Sequence, residues 1–514
     1  LGNKAIHFAR GCVIYNSSKA PKRTKKKFLS LAESLVYMHK KYRTETVKLY
    51  CFERFYHTPI KYRDSLQFIF KNNEFKIQEF KTDIYIENDC TAQIVLGKDF
   101  SKVRNTIEQI IPLIRGAHFE VRIVKTLRGR ALSEFRGHFH QLIKVLRDNK
   151  KEINLEDIRR QGFLMGTRLL GPKDLSIDFH NRCNIQCLFC SINSPLMEKK
   201  KHVPLSLDLK FVKIILDQAH EMGVEKIRVS SDGEPLISQD AIPILKIIAR
   251  KGFELQLLTN GTMLKEKHLA SLRGIRKVNF LVNISAAKKT TYQKIHGGHA
   301  DNYDFVLRAL SMLLRFKQAK KKRNEFVQIT TTYIITKLNY REISDYISLV
   351  KNAGVDNVYF KFAILYEEAE DLLVSKIEMR ALKKELLKAK LAASRCSLVT
   401  NLNEVLSNMN DRGFQAKNDI KEHSLNLPVQ NCYNGWFFGR INPFGDYYIC
   451  CRETVPVGNV RKDDLKSIFF SRKMNDLLAE GASGISLKKR MWSKCNYCYH
   501  LHENRTAKKW LDQQ

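Results

Sequence analysis

Three cysteines within eight residues set the chemistry of this chain: Arg182-Cys183-Asn184-Ile185-Gln186-Cys187-Leu188-Phe189-Cys190. Spaced Cys-x3-Cys-x2-Cys, three thiolates on one short loop can hold three irons of a cubane [4Fe–4S] cluster and leave the fourth iron open to an exogenous ligand. Four protein ligands would make an electron carrier, whereas three leave a coordination position for chemistry. A structural zinc site would want a fourth Cys or His at short spacing, and His180 stands near enough to keep zinc open from the loop alone.

A second constellation lies near the carboxy terminus. Cys432-x12-Gly445-x4-Cys450 is followed, after 44 further residues, by Cys495-x2-Cys498. Two cysteines flanking a hairpin and a distant Cys-x2-Cys knuckle can converge on one metal. Zinc and iron–sulfur have the same ligand count here, and His500 and His502 offer zinc alternatives. Twelve cysteines in 514 residues are too sparse for a disulfide scaffold. Their clustering points to metal binding in a reducing compartment, so the chain reads as cytoplasmic.

The elements that must position these residues change character along the chain. Residues 1–165 read as a basic α+β region of unknown role, with strands at 83–86 and 119–124 and a helix over 131–149. The run Lys19, Lys22, Arg23, Lys25, Lys26 and Lys27 precedes an amphipathic stretch from Phe28 to Lys41. From Asp174, apolar strand-like runs at 174–179, 225–230, 254–258, 277–284, 326–335 and 357–363 alternate with helical patterns at 206–222, 240–251, 263–272, 302–317 and 341–354. That alternation implies right-handed βαβ units and a parallel sheet. The fold class is α/β, a partial (βα)6 TIM-like barrel over 170–365. Residues 366–430 read as a linker, helical at first, and 431–514 as a small domain built on an aromatic strand pair around Trp436 to Ile449.

The cysteine triad, the aromatic Phe189 before its last member and its place after the first strand resemble the radical S-adenosylmethionine (SAM) superfamily. The resemblance implies that the open iron chelates the amino and carboxylate groups of SAM, and that the reduced cluster cleaves SAM to a 5′-deoxyadenosyl radical that takes a hydrogen atom from substrate. Supporting motifs follow in order. Ser231-Asp232-Gly233-Glu234-Pro235 resembles the family's Gly-Gly-Glu-Pro, with Asp232 in place of the first glycine, and implies that Gly233 and Glu234 contact the SAM amino group. Leu258-Thr259-Asn260-Gly261 and Asn283-Ile284-Ser285 end the next two strands and imply Asn260 and Ser285 as further SAM-side residues. Asn339 follows the fifth strand at a familiar place. The hairpin spacing, Trp436, Gly458-Asn459-Val460 and the closing Cys-x2-Cys resemble the SPASM/twitch extension. That likeness favours one auxiliary [4Fe–4S] cluster on Cys432, Cys450, Cys495 and Cys498, and leaves Cys451 as a packing residue.

With 89 Lys+Arg against 53 Asp+Glu, the net charge is +36. Such a charge suits anionic partners, or reflects a lysine-rich proteome. No run of about 18 uncharged apolar residues is present, so no membrane span is expected. The resemblance implies, as the first reading, an enzyme of the oxidoreductase or maturase type acting on a small molecule or peptide, supplied with electrons by a donor such as flavodoxin or ferredoxin. The alternatives are an RNA-modifying enzyme gripping phosphates with its basic amino-terminal region, and a non-catalytic iron–sulfur or zinc protein.

Changing Cys183, Cys187 and Cys190 together to Ala should remove about four irons per chain and leave about four at the second site. Iron and zinc analysis after anaerobic reconstitution checks this, and stoichiometric zinc in the residual site would make it a zinc knuckle.

Overall fold

The computed structural model describes residues 129–196 apart from 151, residues 204–411 apart from Ser231 and 364–366, and residues 430–513 apart from 452–454, 486–488, 490–494, 496–497 and 499. Before residue 129 it describes eight strands as backbone only. The lysine-rich run from Lys19 and the stretch from Phe28 to Lys41 lie outside the described residues. The chain divides into two units: Leu1–Gly171 with Glu221–Gly223 and Lys509–Gln514, and Pro172–His220 with Val224–Lys508.

In the first unit β1 (His7–Ala9), β2 (Cys12–Asn16) and β3 (Lys48–Phe52) form a three-stranded sheet. A six-stranded sheet follows from β4 (Gln67–Lys71), β5 (Glu74–Glu79), β6 (Thr82–Glu87), β7 (Thr91–Leu96), β8 (His118–Ile123) and β9 (Glu152–Ile153). The first four run as an antiparallel meander, and β8 and β9 join in parallel. Helix α1 (Gly129–Asp148) buries Phe139, Leu142, Ile143 and Leu146, one apolar stripe at helical spacing. Helix α2 (Leu155–Leu164) is capped by the Asn154 side chain, which accepts from the Asp157 amide at 2.9 Å. The strands expected at 83–86 and 119–124 and the helix expected at 131–149 correspond to β6, β8 and α1.

The second unit carries the alternating pattern. Its elements run β10 (Asp174–Asp178), α3 (Leu209–Glu221), β11 (Lys226–Ser230), α4 (Ala241–Arg250), β12 (Glu254–Thr259), α5 (Glu266–Ser271), β13 (Lys277–Asn283), α6 (Lys289–His296), α7 (Asn302–Lys321), β14 (Phe326–Ile335), α8 (Ile343–Asn352) and β15 (Asn357–Phe362). Then come α9 (Met379–Arg395), β16 (Val399–Thr400), α10 (Leu402–Asp411), β17 (Phe438–Ile441), β18 (Asp446–Tyr448), β19 (Gly458–Asn459), α11 (Leu465–Phe469), α12 (Arg472–Ser483) and α13 (Leu501–Asp512). All six expected strands are present, and the sheet is open. Its order is β16-β15-β14-β13-β12-β11-β10-β17-β18-β19.

Two strands beyond the expected six therefore extend the parallel core. β16 covers one edge and β17 the other, where Asp174 to Ile177 of β10 pair with Phe438 to Ile441. An open edge presents a row of unpaired backbone groups, and pairing with these short strands satisfies it. The carboxy-terminal hairpin is thus an extension of the core sheet.

Sheets covered on both faces read as nearly continuous apolar runs. These strands alternate instead: Leu255, Leu257, Val278, Phe280, Val282 and Ile329 are buried on one face. On the other, Arg440, Ser176, Arg228, Gln256, Asn279 and Gln328 form one polar row across six strands in register. Phe280, with no exposed surface, meets Phe316 edge-on at 6.0 Å on the apolar side. Phe280→Ala should cost about 3–5 kcal/mol through the cavity it leaves. Chemical denaturation checks this, and a loss below about 1 kcal/mol would contradict such packing.

Candidate functional site

The cysteine loop leaves β10 and is fastened by its own backbone. The Glu234 amide donates to the Arg182 carbonyl at 2.8 Å, the Gln186 amide to the His296 carbonyl at 3.0 Å and the Leu188 amide to the Ile295 carbonyl at 2.8 Å. The side chain of Asn184 donates to Thr262 Oγ1 at 2.8 Å and accepts from Asn260 Nδ2 at 3.0 Å. The ends of β11, β12 and α6 thereby grip one loop, at the carboxyl ends of parallel strands, where such folds carry their sites.

Each thiol has a donor nearby. Cys183 Sγ lies 4.0 Å from Asn260 Nδ2, Cys187 Sγ lies 3.1 Å from His296 Nδ1, and Cys190 Sγ accepts from the Asn193 amide at 3.3 Å. Burial pushes the Cys183 thiol up to about 11, with Glu234 and Cys190 adding to the shift, and pushes Cys187 well above its ordinary value, with Cys190 and Cys183 adding to it. Desolvated thiols that repel one another's charge are ready for a cationic centre, because metal binding is what deprotonates them.

Gly233 and Glu234 sit against this loop. A Cβ on Gly233 would stand 1.8 Å from the Arg182 carbonyl oxygen, so only glycine permits the approach. Asp232 needs no left-handed backbone. Its carbonyl accepts from Asn193 Nδ2 at 2.9 Å, and its carboxylate pairs with Arg440 at 2.7 Å. Glu234 is buried: Oε1 accepts from the Leu236 amide at 3.0 Å and Thr259 Oγ1 at 2.7 Å, and Oε2 from the Asn260 amide at 2.6 Å. Burial raises its carboxyl to about 7 against those three bonds. A carboxylate offers about four lone-pair positions, so one remains.

Asn260 Oδ1 accepts from the Thr262 amide at 2.9 Å and from Thr262 Oγ1 at 2.7 Å, so its remaining capacity is the Nδ2 group turned to the loop. Ser285 Oγ donates to Asn283 Oδ1 and accepts from the Ile334 amide, both at 3.0 Å. Asn339 Nδ2 donates to the Ser285 carbonyl at 2.7 Å. The structure thus brings together Cys183, Cys187, Cys190, Gly233, Glu234 and Asn260 as one interlocked group, with Ser285 joined to it through His296, whose Nε2 accepts from the Ser285 amide at 3.1 Å.

Sequence reading missed His296, Tyr292 and Arg440. His296 is fully buried, and burial lowers it to about 3, so its ring is neutral. The turn after it is Gly297-Gly298, both at positive φ, and a Cβ on Gly298 would press on Ile185 and Asn184 of the cysteine loop. That His-Gly-Gly ending was the available signal. Arg440 reaches from β17 to Asp178 at 2.6 Å as well as to Asp232. Burial alone would lower the guanidinium, but the two carboxylates more than reverse this and hold it charged.

The second constellation gathers Cys432, Cys450, Cys495 and Cys498, all half-buried. Burial raises the Cys432 thiol, and Cys450, Cys495 and Cys498 push it further. Asn504 ties the two ends of the domain together. Its Oδ1 accepts from the Tyr433 amide at 2.6 Å, and its Nδ2 lies 3.6 Å from Cys498 Sγ. Cys451 is no packing residue: it is exposed, with Sγ 3.8 Å from His500 Nε2. Ligand atoms of Cys450, Cys451 and His500 all lie within 4.8 Å of one another. His500 is buried over Phe438, and His502 is exposed.

Residues 177–350 match the family model of the Radical SAM superfamily, and residues 432–499 match SPASM, an iron–sulfur cluster-binding domain. The chain carries a radical SAM domain followed by a SPASM domain. Its cofactors are accordingly a [4Fe–4S] cluster, SAM and auxiliary iron–sulfur. The molybdenum cofactor biosynthesis protein moc-5 of Caenorhabditis elegans is 30% identical over 37% of this chain and 29% of its own length. The GTP 3′,8-cyclase of Nautilia profundicola is 28% identical over 37% of this chain and 55% of its own. The chain thus spans less than a third of the first relative and about half of the second. The crystal structure of Streptococcus suis SuiB bound to S-adenosylmethionine aligns with a TM-score of 0.44 and 13% identity, over 74% of this chain and 79% of that one.

The residues of the radical SAM domain fit these groups on two observations. One is the donor set itself, three thiols on one loop held beside the buried carboxylate of Glu234. The other is the Tyr292 hydroxyl, buried and without a hydrogen-bond partner among the described residues, on which Cys187, Glu234 and Cys183 all act electrostatically. Among the described residues no helix is long and apolar enough to cross a membrane.

Gly233→Ala should displace Arg182 and with it the cysteine loop. Iron analysis should find about four irons lost, those of one cubane, while the SPASM domain keeps its own. Full iron content in that variant would show that the close approach does not govern the loop.

Proposed function

We propose that this protein is a radical SAM enzyme that takes a hydrogen atom from a small molecule or a peptide side chain. In this reading Cys183, Cys187 and Cys190 hold three irons of the SAM-binding cluster, and Cys432, Cys450, Cys495 and Cys498 hold one auxiliary [4Fe–4S] cluster. When bound, the reduced cluster and SAM supply a 5′-deoxyadenosyl radical able to remove that hydrogen. The observation that carries the reading is the three-thiol loop clamped against a glutamate with one lone-pair position left.

The chain's own residues divide the work. Glu234 accepts from the SAM amino group with its remaining lone pair, and Gly233 lets the backbone come close enough. Asn260 works through Asn184 and Cys183, holding the loop in register. Ser285 retains one acceptor lone pair on the SAM side. Arg440, paired with Asp178 and Asp232, fixes the auxiliary centre to the same strand ends. A fully thiolate-ligated auxiliary cluster has no open iron, which suits it to take an electron from a substrate radical in oxidation or thioether formation; epimerisation, the remaining reaction class, would instead return a hydrogen atom to that radical. The electron donor would be a flavodoxin- or ferredoxin-like protein, in a reducing, cytoplasmic setting.

The test is anaerobic reconstitution followed by analysis of 5′-deoxyadenosine with small polar molecules, peptides and RNA as separate arms. Product that depends on a small molecule or peptide supports the proposal, RNA-dependent product would replace it with the RNA-modifying reading, and no SAM cleavage at all would make the protein a carrier. Glu234→Gln should weaken SAM binding about ten- to a hundredfold, the worth of one charge-assisted hydrogen bond. Parent-like affinity by equilibrium binding would remove Glu234 from the SAM site.

A further inference from the structure

His296 ends α6 with no exposed surface, and both ring nitrogens are committed. Nε2 lies 3.1 Å from the Ser285 amide, and Nδ1 lies 3.1 Å from Cys187 Sγ. A backbone amide can only donate, so Nε2 must carry the lone pair. The single proton of the imidazole is then on Nδ1, pointing at sulfur. The tautomer is set by a main-chain group that no change of side chain nearby would remove.

The ring is also held in place. Tyr292 stacks on it at 4.4 Å, and Phe189 meets it edge-on at 5.6 Å. The carbonyls of Ile295 and His296 accept from the amides of Leu188 and Gln186, the two neighbours of Cys187. The helix end and the middle cysteine are therefore registered by backbone on both sides, and the N–H···S contact lies inside that frame.

Hydrogen bonds to a cluster's sulfur ligands withdraw charge from it and help set its reduction potential. Resting on the assignment of the cysteine loop above, we propose that His296 is a positioning residue that donates an N–H···S hydrogen bond to the Cys187 thiolate and raises the potential of the SAM-binding cluster. The proton stays on Nδ1 throughout. The effect is to ease acceptance of one electron from the low-potential donor.

The experiment is an EPR-monitored redox titration of the reconstituted protein, following the iron signal that changes on SAM addition. His296→Leu removes the donor, and His296→Gln keeps an N–H group of similar reach. The Leu variant should titrate at a more negative potential than the parent, with the Gln variant close to the parent and iron content unchanged. A Leu variant at the parent potential would overturn the proposal. Because either variant could fail to load iron, the unaltered protein provides a second arm. Labelling it with nitrogen-15 histidine should change the nuclear modulation of the SAM-sensitive signal in pulsed EPR, and a signal blind to the label overturns the proposal alone. Absence of any SAM-sensitive iron signal from the parent would remove the assignment of the site itself, and the proposal with it.

Discussion

A loop that turns three thiols to one side has its own amides and carbonyls to satisfy, and buried backbone groups left unpaired cost free energy. Here the amide of Glu234 and the carbonyls of Ile295 and His296 meet that need. Everything else about the site is arranged around the constraint. The turn after β11 must carry Gly233 so that its backbone reaches Arg182, β12 must be followed by Asn260 to meet Asn184, and α6 must stop at His296. The parallel sheet delivers those three ends to one edge because its strands run in register.

Charge supplies the second layer of order. Arg440 on the hairpin strand β17 pairs with two carboxylates at different strand ends, Asp178 and Asp232. A half-buried arginine with two partners is a stronger tie than an exposed ion pair, because water screens it less. The tie joins the SPASM domain to the radical SAM domain at the same edge that β17 covers by backbone pairing. One short strand therefore covers the sheet edge and anchors the hairpin of the second cysteine constellation to the core sheet.

Much of this was legible in the sequence, for identifiable reasons. The six strands and five helices of the core were visible because apolar periodicity is local. The motif residues were visible because each lies just after a strand. What was not legible is non-local. Nothing in Phe438-Gly439-Arg440-Ile441 says that it pairs with β10, some 260 residues away (counting from Asp178 to Arg440). Helix α6 hides because Thr290, Thr291 and Tyr292 in its first turn are poor helix formers, and its place is set by packing against the loop. Asp232 read as a departure from a glycine motif, and its reason appears only with Arg440. Cys451 read as packing, and the hairpin geometry exposes it instead.

The central claim is that the three-thiol loop leaves one iron open and that SAM occupies it. Electron–nuclear double resonance on the reduced, reconstituted protein with SAM labelled by nitrogen-15 at its amino group tests this directly. The account predicts a nitrogen coupling to a reduced cluster, carried by the loop cysteines and absent when they are changed. A protein with both clusters reduced and SAM bound, yet no coupling from the labelled nitrogen, would contradict it.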